Sequence, residues 1–485
     1  MRIPLDRQSS APLYRQIEDF LRQGIVSGRL APETRLPATR QLARDLGVNR
    51  ITVENAYGEL EADGLIAART GSGTYILPHS LLPQTHDGSG APWPFWQHSM
   101  EKRGALSALP APNELLQAAQ HPNPIDFSGG VADAQIFPAA EFRRTLQSVL
   151  RRDGVTALEY GDPRGYAPLR ETIAHVLSSQ GVQTNPGAIL ITGGSQQALA
   201  LVTQLLLRPG DVVLVEDPTY GKALELFRAH SLQVVGIPTD AHGMQVEVLE
   251  SVLRQVPARL IYTMPNFQNP TGVCLSSQRR RRLLALVDAY NVPVLEDDFV
   301  GDLRYEGHAQ PALKALDPGG RVIYVSTFSK MLMPGLRVGF LVADGPVYAA
   351  LAACKQANDL ATSNLMQRAL EAYLTVGRYQ AHLRRSCRIY GRRRDAMLSA
   401  IHRCLPPWAS VDPPQGGLFV WVRLPDALSA TELLPAACAQ GVAFAPGAAF
   451  SPTGNDAAMR LSFAAQPPEI IEEGIRRLGQ VLEGF

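Results

Sequence analysis

Lys330 stands where an enzyme could hold an aldehyde cofactor. It follows the apolar run RVIYVSTF, residues 321–328, and has the hydroxyl residues Thr327 and Ser329 beside it. Most lysines are solvated surface charges, but an amine that forms a Schiff base must be held out of bulk water. Arg337 lies seven residues further on, and a phosphate group needs cationic and hydroxyl partners of this kind. This stretch therefore indicates an aldehyde cofactor that also carries a phosphate.

Polar and aromatic residues follow several other apolar runs. The run ILIT is followed by a glycine turn and a helix, and such a helix start offers N–H groups to an anion. The candidates are Gly194, Ser195 and Gln196 for a phosphate, Asp297 in VPVLEDDF, Asn269 in YTMPNFQNPTG and Tyr220 in VEDPTYGK. Each has a structural alternative, because glycine turns are mostly architectural, strand-end acids usually pair, asparagines make turns and tyrosines pack. Their order along the chain, together with Lys330, favours one shared site.

These residues need a scaffold that brings the ends of several strands together. From about residue 125 onward, apolar runs alternate with stretches of helical length or glycine-rich turns; the runs are AILIT, DVVLVE, RLIYTMP, VPVLEDD, RVIYVSTF and VGFLVA. This alternation predicts an α/β domain whose mainly parallel sheet is covered by helices on both faces. In such a sheet the binding site lies at the carboxyl ends of the strands. The last part of the chain, with GGLFVWVRL and MRLSFA, predicts a smaller α+β lobe.

The first 77 residues have a different pattern, that of a winged helix-turn-helix. Three helices are predicted, the second ending near Gly47 and the third beginning after an N-cap at Asn49. Their inward positions are expected to be Tyr14, Ile17, Leu21, Ile25, Leu42, Ala43, Leu46, Val53, Ala56, Tyr57 and Leu60. The stretch GLIAARTGSGTYIL, residues 64–77, then predicts a β-hairpin with glycines at its tip. The third helix would enter the major groove of DNA by its N-terminal end.

The positions of the positive charges predict contact with DNA, whereas the net charge does not. The chain has a formal net charge of +1, and residues 1–80 hold ten arginines, no lysine and nine acids. No bulk attraction to nucleic acid therefore follows. Arg40, Arg50 and Arg69, however, fall at the helix starts and in the wing, while the acids of the third helix lie further along it.

Length and composition exclude several classes of protein. At 485 residues the chain is too long for one core, which predicts roughly two to four domains. No apolar run reaches signal-peptide or membrane-spanning length, so a cytoplasmic protein is expected. The five cysteines form no CxxC pair, which argues against a disulfide framework or a metal site. Residues 78–124 contain eight prolines and are predicted to be a linker, with WPFW at 93–96 docked on a folded domain or serving as a hinge.

In series these motifs resemble those of a known family. From residue 125 to 485 the chain resembles the fold-type I aminotransferases that use pyridoxal 5′-phosphate (PLP), and residues 1–77 resemble the GntR-type winged helix. Together they look like the MocR/GabR family of bacterial transcription regulators. The resemblance implies that Lys330 forms the internal aldimine, Asp297 pairs with the pyridinium nitrogen, Asn269 binds the phenolic oxygen and Tyr220 stacks on the ring.

The same resemblance implies roles for the other candidates. It places Gly194, Ser195, Gln196, Thr327, Ser329 and Arg337 around the phosphate, and Tyr160 of LEYGDPRGYAPLR at the phosphate of the neighbouring subunit in a homodimer. Arg460 of MRLSFA matches the arginine that binds a substrate carboxylate. Arg40, Asn49, Arg50 and Thr52 would lie at the DNA, with Thr70 and Gly71 at the wing tip.

Two positions depart from the family pattern. Phe299 stands where these regulators often have tyrosine, so it cannot donate a hydrogen bond to the cofactor's oxygen, and this puts efficient catalysis in doubt. Lys222 occupies the place of an arginine in the regulator that answers γ-aminobutyrate, and is expected to face a different effector.

Two functions fit these residues. The first is a transcription regulator that binds an operator in double-stranded DNA and senses a small amino compound, or PLP itself, at Lys330. The second is a working aminotransferase that acts on an amino acid with Lys330 as its general base. Residues 1–77 discriminate between them, because a metabolic enzyme needs no module that reads DNA. We therefore predict a regulator with at most weak transaminase activity, acting as a homodimer away from the membrane.

Overall fold

The computed structural model of the chain describes residues 3–7, 9, 11–26, 29–69, 73–77 and 124–484. These residues fall into two compact units, one within residues 1–105 and the other within residues 106–485. The predicted linker, residues 78–124, lies outside the described ranges except for Pro124, and so does the stretch WPFW. None of the helices within these ranges combines the length and the apolar character needed to cross a bilayer.

The N-terminal unit contains the three predicted helices, Leu13–Val26, Thr39–Leu46 and Arg50–Ala62. Of the predicted inward positions Tyr14 and Leu46 are half-buried, and the other nine are buried in one apolar cluster. Gly47 ends the second helix with a φ of 63°, a left-handed conformation that glycine adopts without strain. The predicted helices and their core faces are thus confirmed.

The predicted hairpin is also present in this unit. It consists of two antiparallel strands, β1 (Ile66–Arg69) and β2 (Gly73–Ile76). Thr70 and Gly71, the predicted wing-tip contacts, lie outside the described residues. Three helices followed by a two-stranded wing make this unit a winged helix-turn-helix.

The C-terminal unit is built on a sheet with eight strands in the described part of the chain. The strands are β4 (Ile189–Thr192), β5 (Val212–Asp217), β6 (Gln233–Asp240), β7 (Gly243–Met244), β8 (Ala258–Thr263), β9 (Val294–Asp298), β10 (Val322–Thr327) and β11 (Gly339–Val342). Their order is β4-β11-β10-β9-β8-β5-β6-β7. β6, β5, β8, β9 and β10 pair in parallel, whereas β11 and β7 run antiparallel to their neighbours. The predicted, mainly parallel sheet is confirmed.

Helices cover both faces of this sheet. Successive side chains of a strand point to opposite faces, and in β5 Val213 packs in one apolar cluster with Leu199 while Leu214 packs in another with Leu249. Within residues 124–484 the α-helices are Ala139–Asp153, Ala167–Ser179, Ser195–Leu206, Gly221–Ala229, Val246–Leu253, Ser277–Tyr290, Pro346–Asp359, Asn364–Thr375, Arg378–Cys404, Ala430–Ala439 and Pro468–Leu482.

A smaller antiparallel sheet forms the predicted lobe. Its strands lie in the order β12 (Ser410–Val411), β13 (Phe419–Arg423), β16 (Ala458–Ser462) and β15 (Ala445–Pro446). Beside it, β3 (Ile125–Asp126) pairs in parallel with β14 (Val442–Ala443). This pairing fixes the segment that follows β3 next to the lobe.

Candidate functional site

The predicted polar residues meet at one edge of the large sheet, because the carboxyl ends of parallel strands lie together there. Tyr220 follows β5, Asn269 follows β8, Asp297 lies near the end of β9 and Lys330 follows β10. A cavity of about 730 Å³ opens at this edge. The predicted residues that line it are Ser195, Gln196, Tyr220, Lys222, Asn269, Asp297, Thr327, Ser329, Lys330, Arg337 and Arg460.

Lys330 has the surroundings of a reactive amine. Its Nζ donates a hydrogen bond of 2.7 Å to the carbonyl oxygen of Gly130. Burial of the side chain, and then the positive charges of Arg460 and Arg337, lower the pKa of the ammonium group. A lower pKa raises the fraction of neutral amine, the form that attacks an aldehyde carbon.

Asp297 is buried and has one oxygen to spare. Its Oδ2 accepts a hydrogen bond of 2.9 Å from the hydroxyl of Tyr262. Its Oδ1 is also buried, yet it has no hydrogen-bond partner among the described residues. A buried polar atom without a partner costs free energy. A positively charged ring N–H presented from the cavity would satisfy this oxygen, so Asp297 fits a protonated pyridine nitrogen.

Burial raises the pKa of Asp297 to about 7, from 3.8 for an unperturbed aspartate. Because the folded pKa is the higher one, the unfolded chain loses its proton first as the pH rises, and folding stability falls between about pH 4 and pH 7. Burial raises the pKa of Glu216 and Glu296 to about 7 as well, which adds to the fall. An asparagine at this position would not titrate, so we expect Asp297→Asn to make the fall in stability smaller. The difference should be on the order of 1 to 3 kcal/mol of unfolding free energy across this pH interval.

The measurement is the free energy of unfolding of cofactor-free wild type and D297N at several pH values in that interval. Wild type should lose stability more steeply than D297N. Saturation with PLP should flatten the wild-type curve, because a pyridinium charge favours the ionised carboxylate. Parallel curves for the two cofactor-free proteins would contradict the assignment.

A second part of the cavity presents donors to an anion. Gly194, with a φ of 102°, precedes the helix Ser195–Leu206, whose first N–H groups have no partner within the helix. Arg337 Nη2 donates a hydrogen bond of 2.8 Å to the carbonyl oxygen of Gly193, which holds the guanidinium beside this helix start. Because β11 is antiparallel, its beginning, just after Arg337, lies at the same edge as the ends of β4 and β10.

Two hydroxyl groups lie at the end of the neighbouring strand β10. Thr327 Oγ1 donates to Ser329 Oγ at 3.0 Å and accepts a hydrogen bond of 3.2 Å from the backbone N–H of Ser329. Both residues are buried and line the cavity. Hydroxyls, a guanidinium and a helix start are together the donor set that binds a phosphate.

We expect Gly194→Ala to weaken binding of PLP by on the order of tenfold or more. A Cβ at this position would lie 2.8 Å from Arg337 Nη2, so the guanidinium would have to move. The measurement is a titration of cofactor-free protein with PLP. Gly210→Ala is the matched control, because Gly210 also has a positive φ, 89°, but nothing within 4 Å of an added Cβ. Equal affinities of G194A and G210A would refute the phosphate assignment.

Arg460, from β16 of the lobe, is buried at the far side of the cavity. Its Nη1 donates a hydrogen bond of 2.9 Å to Asn269 Oδ1, and its Nη2 donates to the carbonyl oxygen of Ser128. Its Nε is buried without a partner among the described residues, and its guanidinium carbon lies 4.2 Å from the ring centroid of Phe419. Burial lowers the pKa of Arg460 to about 10, so it remains a cation near neutral pH. A buried cation of this kind suits a ligand carboxylate.

The remaining walls combine aromatic, charged and apolar side chains. Burial raises the pKa of Tyr220 to about 12, so its phenol stays protonated. Phe299 lines the cavity without a hydroxyl, in agreement with the departure noted from the sequence. Lys222 Nζ lies 2.8 Å from Glu225 Oε2, so its charge is already met by a residue of its own helix. The apolar lining is formed by Leu226, Ala229, Leu434, Phe444 and Phe450.

Tyr160 lies outside this cavity. Its side chain is 83% exposed, and Val155 and Leu158 nearby are 72% and 66% exposed. Three large apolar side chains exposed within six residues form an exposed hydrophobic patch, a feature typical of surfaces that bind another molecule.

The helix Arg50–Ala62 carries the predicted DNA contacts. Asn49 Oδ1 accepts a hydrogen bond of 3.1 Å from the N–H of Ile51, so this oxygen caps the helix. Arg50 Nε lies 2.5 Å from Glu54 Oε1, an ion pair within the helix. Thr52 is half-buried, and Arg40 of the preceding helix is exposed. The starts of the second and third helices therefore each present an exposed arginine at the surface of this unit.

Three hydrogen-bonding residues of the site were missed from the sequence, and so were the apolar residues of its lining. Tyr262 binds Asp297 through its hydroxyl, and the carbonyl groups of Ser128 and Gly130 accept from Arg460 and Lys330. The SGG stretch at 128–130, a small polar turn directly after a strand, was the available signal for the last two.

Comparisons with known proteins agree with this geometry. Residues 125–478 match the family Aminotransferase class I and II, and residues 13–76 match the gntR family of bacterial regulatory proteins. The chain is 32% identical to "Probable rhizopine catabolism regulatory protein MocR" of Rhizobium meliloti over 480 residues, 98% of this chain and 94% of that protein.

Two solved structures resemble the C-terminal unit. Kynurenine aminotransferase of Pyrococcus horikoshii, in complex with PMP, is 37% identical with a TM-score of 0.76, over 80% of this chain and 99% of that one. LysN of Thermus thermophilus, an α-aminoadipate aminotransferase complexed with N-(5′-phosphopyridoxyl)-L-leucine, is 36% identical with a TM-score of 0.74, over 80% of this chain and 98% of that one.

The cofactor is PLP, since the matched family and both structural neighbours indicate it and the residues present fit it. When bound, PLP supplies an electrophilic carbon and an electron-withdrawing ring. An amine at Lys330 and the spare oxygen of Asp297 lie at the ends of adjacent strands, which suits that group. A gntR unit followed by an aminotransferase unit also accounts for almost the whole length of the chain. The chain belongs to the MocR/GabR family of transcription regulators.

Proposed function

We propose that this chain regulates transcription by sensing an amino compound, or PLP itself, through a covalent bond between Lys330 Nζ and the aldehyde carbon of PLP. One observation carries the proposal. One cavity presents a partly desolvated amine at Lys330 and an oxygen of Asp297 that has no partner in the described part of the chain, and the chain opens with a winged helix.

The proposed roles follow from the donors and acceptors that remain available. Asp297 Oδ1 accepts from the pyridinium nitrogen, and Tyr220 packs against the ring. Arg460 binds Asn269 Oδ1, which leaves the amide N–H groups of Asn269 to donate to the phenolic oxygen. The phosphate is held by Gly194, Ser195, Gln196, Thr327, Ser329 and Arg337.

The effector is an amine that competes with Lys330 for the cofactor. Arg460 would hold a carboxylate of that amine, and the apolar wall formed by Leu226, Leu434 and Phe444 would receive its side chain. These features favour an amino acid, with Lys222 and Glu225 near its far end. Replacement of Lys330 by the amine changes the contacts inside the cavity, and this difference can favour one of two arrangements of the protein.

A second copy of the chain completes the proposal. The exposed apolar surface of Val155, Leu158 and Tyr160 would be covered in a homodimer, and Tyr160 would reach the phosphate of the other subunit. A two-fold dimer also suits an operator with two half-sites in double-stranded DNA. Because such a regulator works at the chromosome of a bacterium, we place it in the cytoplasm.

The test is binding of the full chain to its own upstream DNA, with and without PLP and a panel of amino acids. Wild type should bind this DNA, and its affinity should change with the cofactor or with one class of amine. Lys330→Ala should bind DNA but lose the response. If both proteins bind and respond identically, the sensing role of Lys330 is refuted.

An aminotransferase is the second candidate, favoured by the intact set of Lys330, Asp297 and Arg460 around one cavity and by the aminotransferases among the similar structures. Phe299 argues for slow turnover, since it offers the cofactor no hydroxyl. Conversion of an amino acid to its keto acid at a rate typical of metabolic enzymes, about 1 to 1000 per second, would favour this candidate.

A further inference from the structure

The helix that carries the predicted DNA contacts has a face that no predicted residue occupies. Ile51 is 61% exposed, the one large apolar side chain so exposed in the described part of the N-terminal unit. Asn55 and Gly58 are also exposed. Positions four and seven residues further along lie on the same side of a helix. Ile51, Asn55 and Gly58, here called the outer face, therefore form one surface.

The surroundings leave the outer face free to make contacts. Arg50 and Glu54 pair with each other along a neighbouring line of the helix. The side-chain amide of Asn55 has no hydrogen-bond partner among the described residues, so it keeps free donors and a free acceptor. A Cβ on Gly58 would have nothing within 4 Å, so the helix surface there is open. The N-cap at Asn49 orders the first turn, which is the part that enters the groove.

We propose that the outer face reads A·T base pairs in the major groove, Ile51 against the 5-methyl group of a thymine and Asn55 by two hydrogen bonds to an adenine. This inference rests on the proposed DNA-reading function. An isoleucine cannot bind a phosphate or a polar base edge, whereas the thymine methyl is the apolar group that the major groove offers. An asparagine amide matches N6 and N7 of adenine. Four residues rise about 6 Å along a helix, so the two bases lie within about two base pairs of each other.

The experiment begins with selection of binding sites by the full chain, loaded with PLP, from a random library of DNA duplexes. In the selected site each thymine is then replaced singly by deoxyuridine, which lacks the methyl group, and each adenine by 7-deazaadenine, which lacks N7. Wild type should bind at least one uracil duplex about fourfold more weakly, the equivalent of one buried methyl group. At a 7-deazaadenine nearby it should bind about fivefold or more weakly.

Variants at Ile51 and Asn55 show which side chain causes each loss of affinity. Ile51→Ala should bind the thymine and uracil duplexes equally at that position, and Ile51→Val should restore part of the difference. Asn55→Ala should lose its sensitivity to 7-deazaadenine and keep its sensitivity to uracil. Both side chains are exposed, so an unchanged unfolding midpoint checks that the fold is intact.

Each negative result would overturn a different part of the proposal. If no uracil weakens wild type, or if I51A retains the full uracil effect, the assignment of Ile51 is overturned. If N55A retains its sensitivity to 7-deazaadenine, Asn55 is not the reader of adenine. If no sequence is enriched at all, DNA reading itself fails, and the proposed function fails with it.

Discussion

Replacement of Lys330 by alanine should abolish covalent capture of PLP by this chain. After incubation with PLP and reduction with borohydride, peptide mass analysis should find the phosphopyridoxyl group on the peptide that contains Lys330 in wild type, and on none in K330A. The expected effect is complete, because the bond to the aldehyde carbon needs a neutral amine inside the cavity. Burial and two neighbouring arginines lower the pKa of Lys330, which raises the fraction of its amine that is neutral.

The chain offers a sharp control for this result. It contains five lysines, Lys102, Lys222, Lys314, Lys330 and Lys355, so an assignment by peptide is unambiguous. Lys222 also lines the cavity, but its Nζ lies in an ion pair with Glu225, and this pair would have to break before the amine could attack an aldehyde. Lys222→Ala should therefore keep the label on Lys330. A label on Lys222 in wild type, or a persistent label in K330A, would overturn the proposed function.

Replacement of Arg460 by methionine should weaken the response to amino acids by roughly thirtyfold or more, because the partner of a buried carboxylate is lost. The measurement is the change in the absorption spectrum of bound PLP as an amino acid is added. Arg460→Lys should recover only part of the response, since a single ammonium cannot replace two parallel N–H donors.

An amine without a carboxylate distinguishes the loss of carboxylate binding from a general disturbance of the cavity. Arg460 also binds Asn269 and the carbonyl group of Ser128, so its removal could disturb the cavity in general. A simple alkylamine makes no use of a carboxylate site, and its spectral change should be the same in wild type and R460M. An equal loss for the amino acid and the alkylamine would show that Arg460 only supports the structure.

The positions of the residues proposed to hold the cofactor could be predicted from the sequence because local rules apply to them. Asp297 and Lys330 directly follow or end apolar runs that had to be buried strands. Parallel strands place their carboxyl ends at one edge whatever the intervening loops do. The N-cap at Asn49 and the stop at Gly47 were predictable for the same reason, since each depends on a few adjacent residues.

The partners of these residues could not be predicted, because they come from remote parts of the chain. Tyr262 is 35 residues from Asp297, and Gly130 is 200 residues from Lys330. Gly130 also acts through its backbone carbonyl, which every residue has, so the SGG stretch marks the position only weakly. β6 was not predicted either: it lies near an edge of the sheet and only Ile237 of its eight residues is buried, so its sequence lacks a continuous apolar run.

The parallel pairing of β9 and β10 sets Val325 opposite Asp297, five residues before Lys330. The interval between Asp297 and the strand that leads to Lys330 is therefore fixed by main-chain hydrogen bonds and does not depend on how side chains pack. Arg460, Phe444 and Leu434 belong instead to the lobe. Under the proposed function, substitutions in the lobe would change which amine is accepted without altering the strands that hold Asp297 and Lys330, so relatives with this scaffold would diverge in the signal they answer and keep the same chemistry of detection.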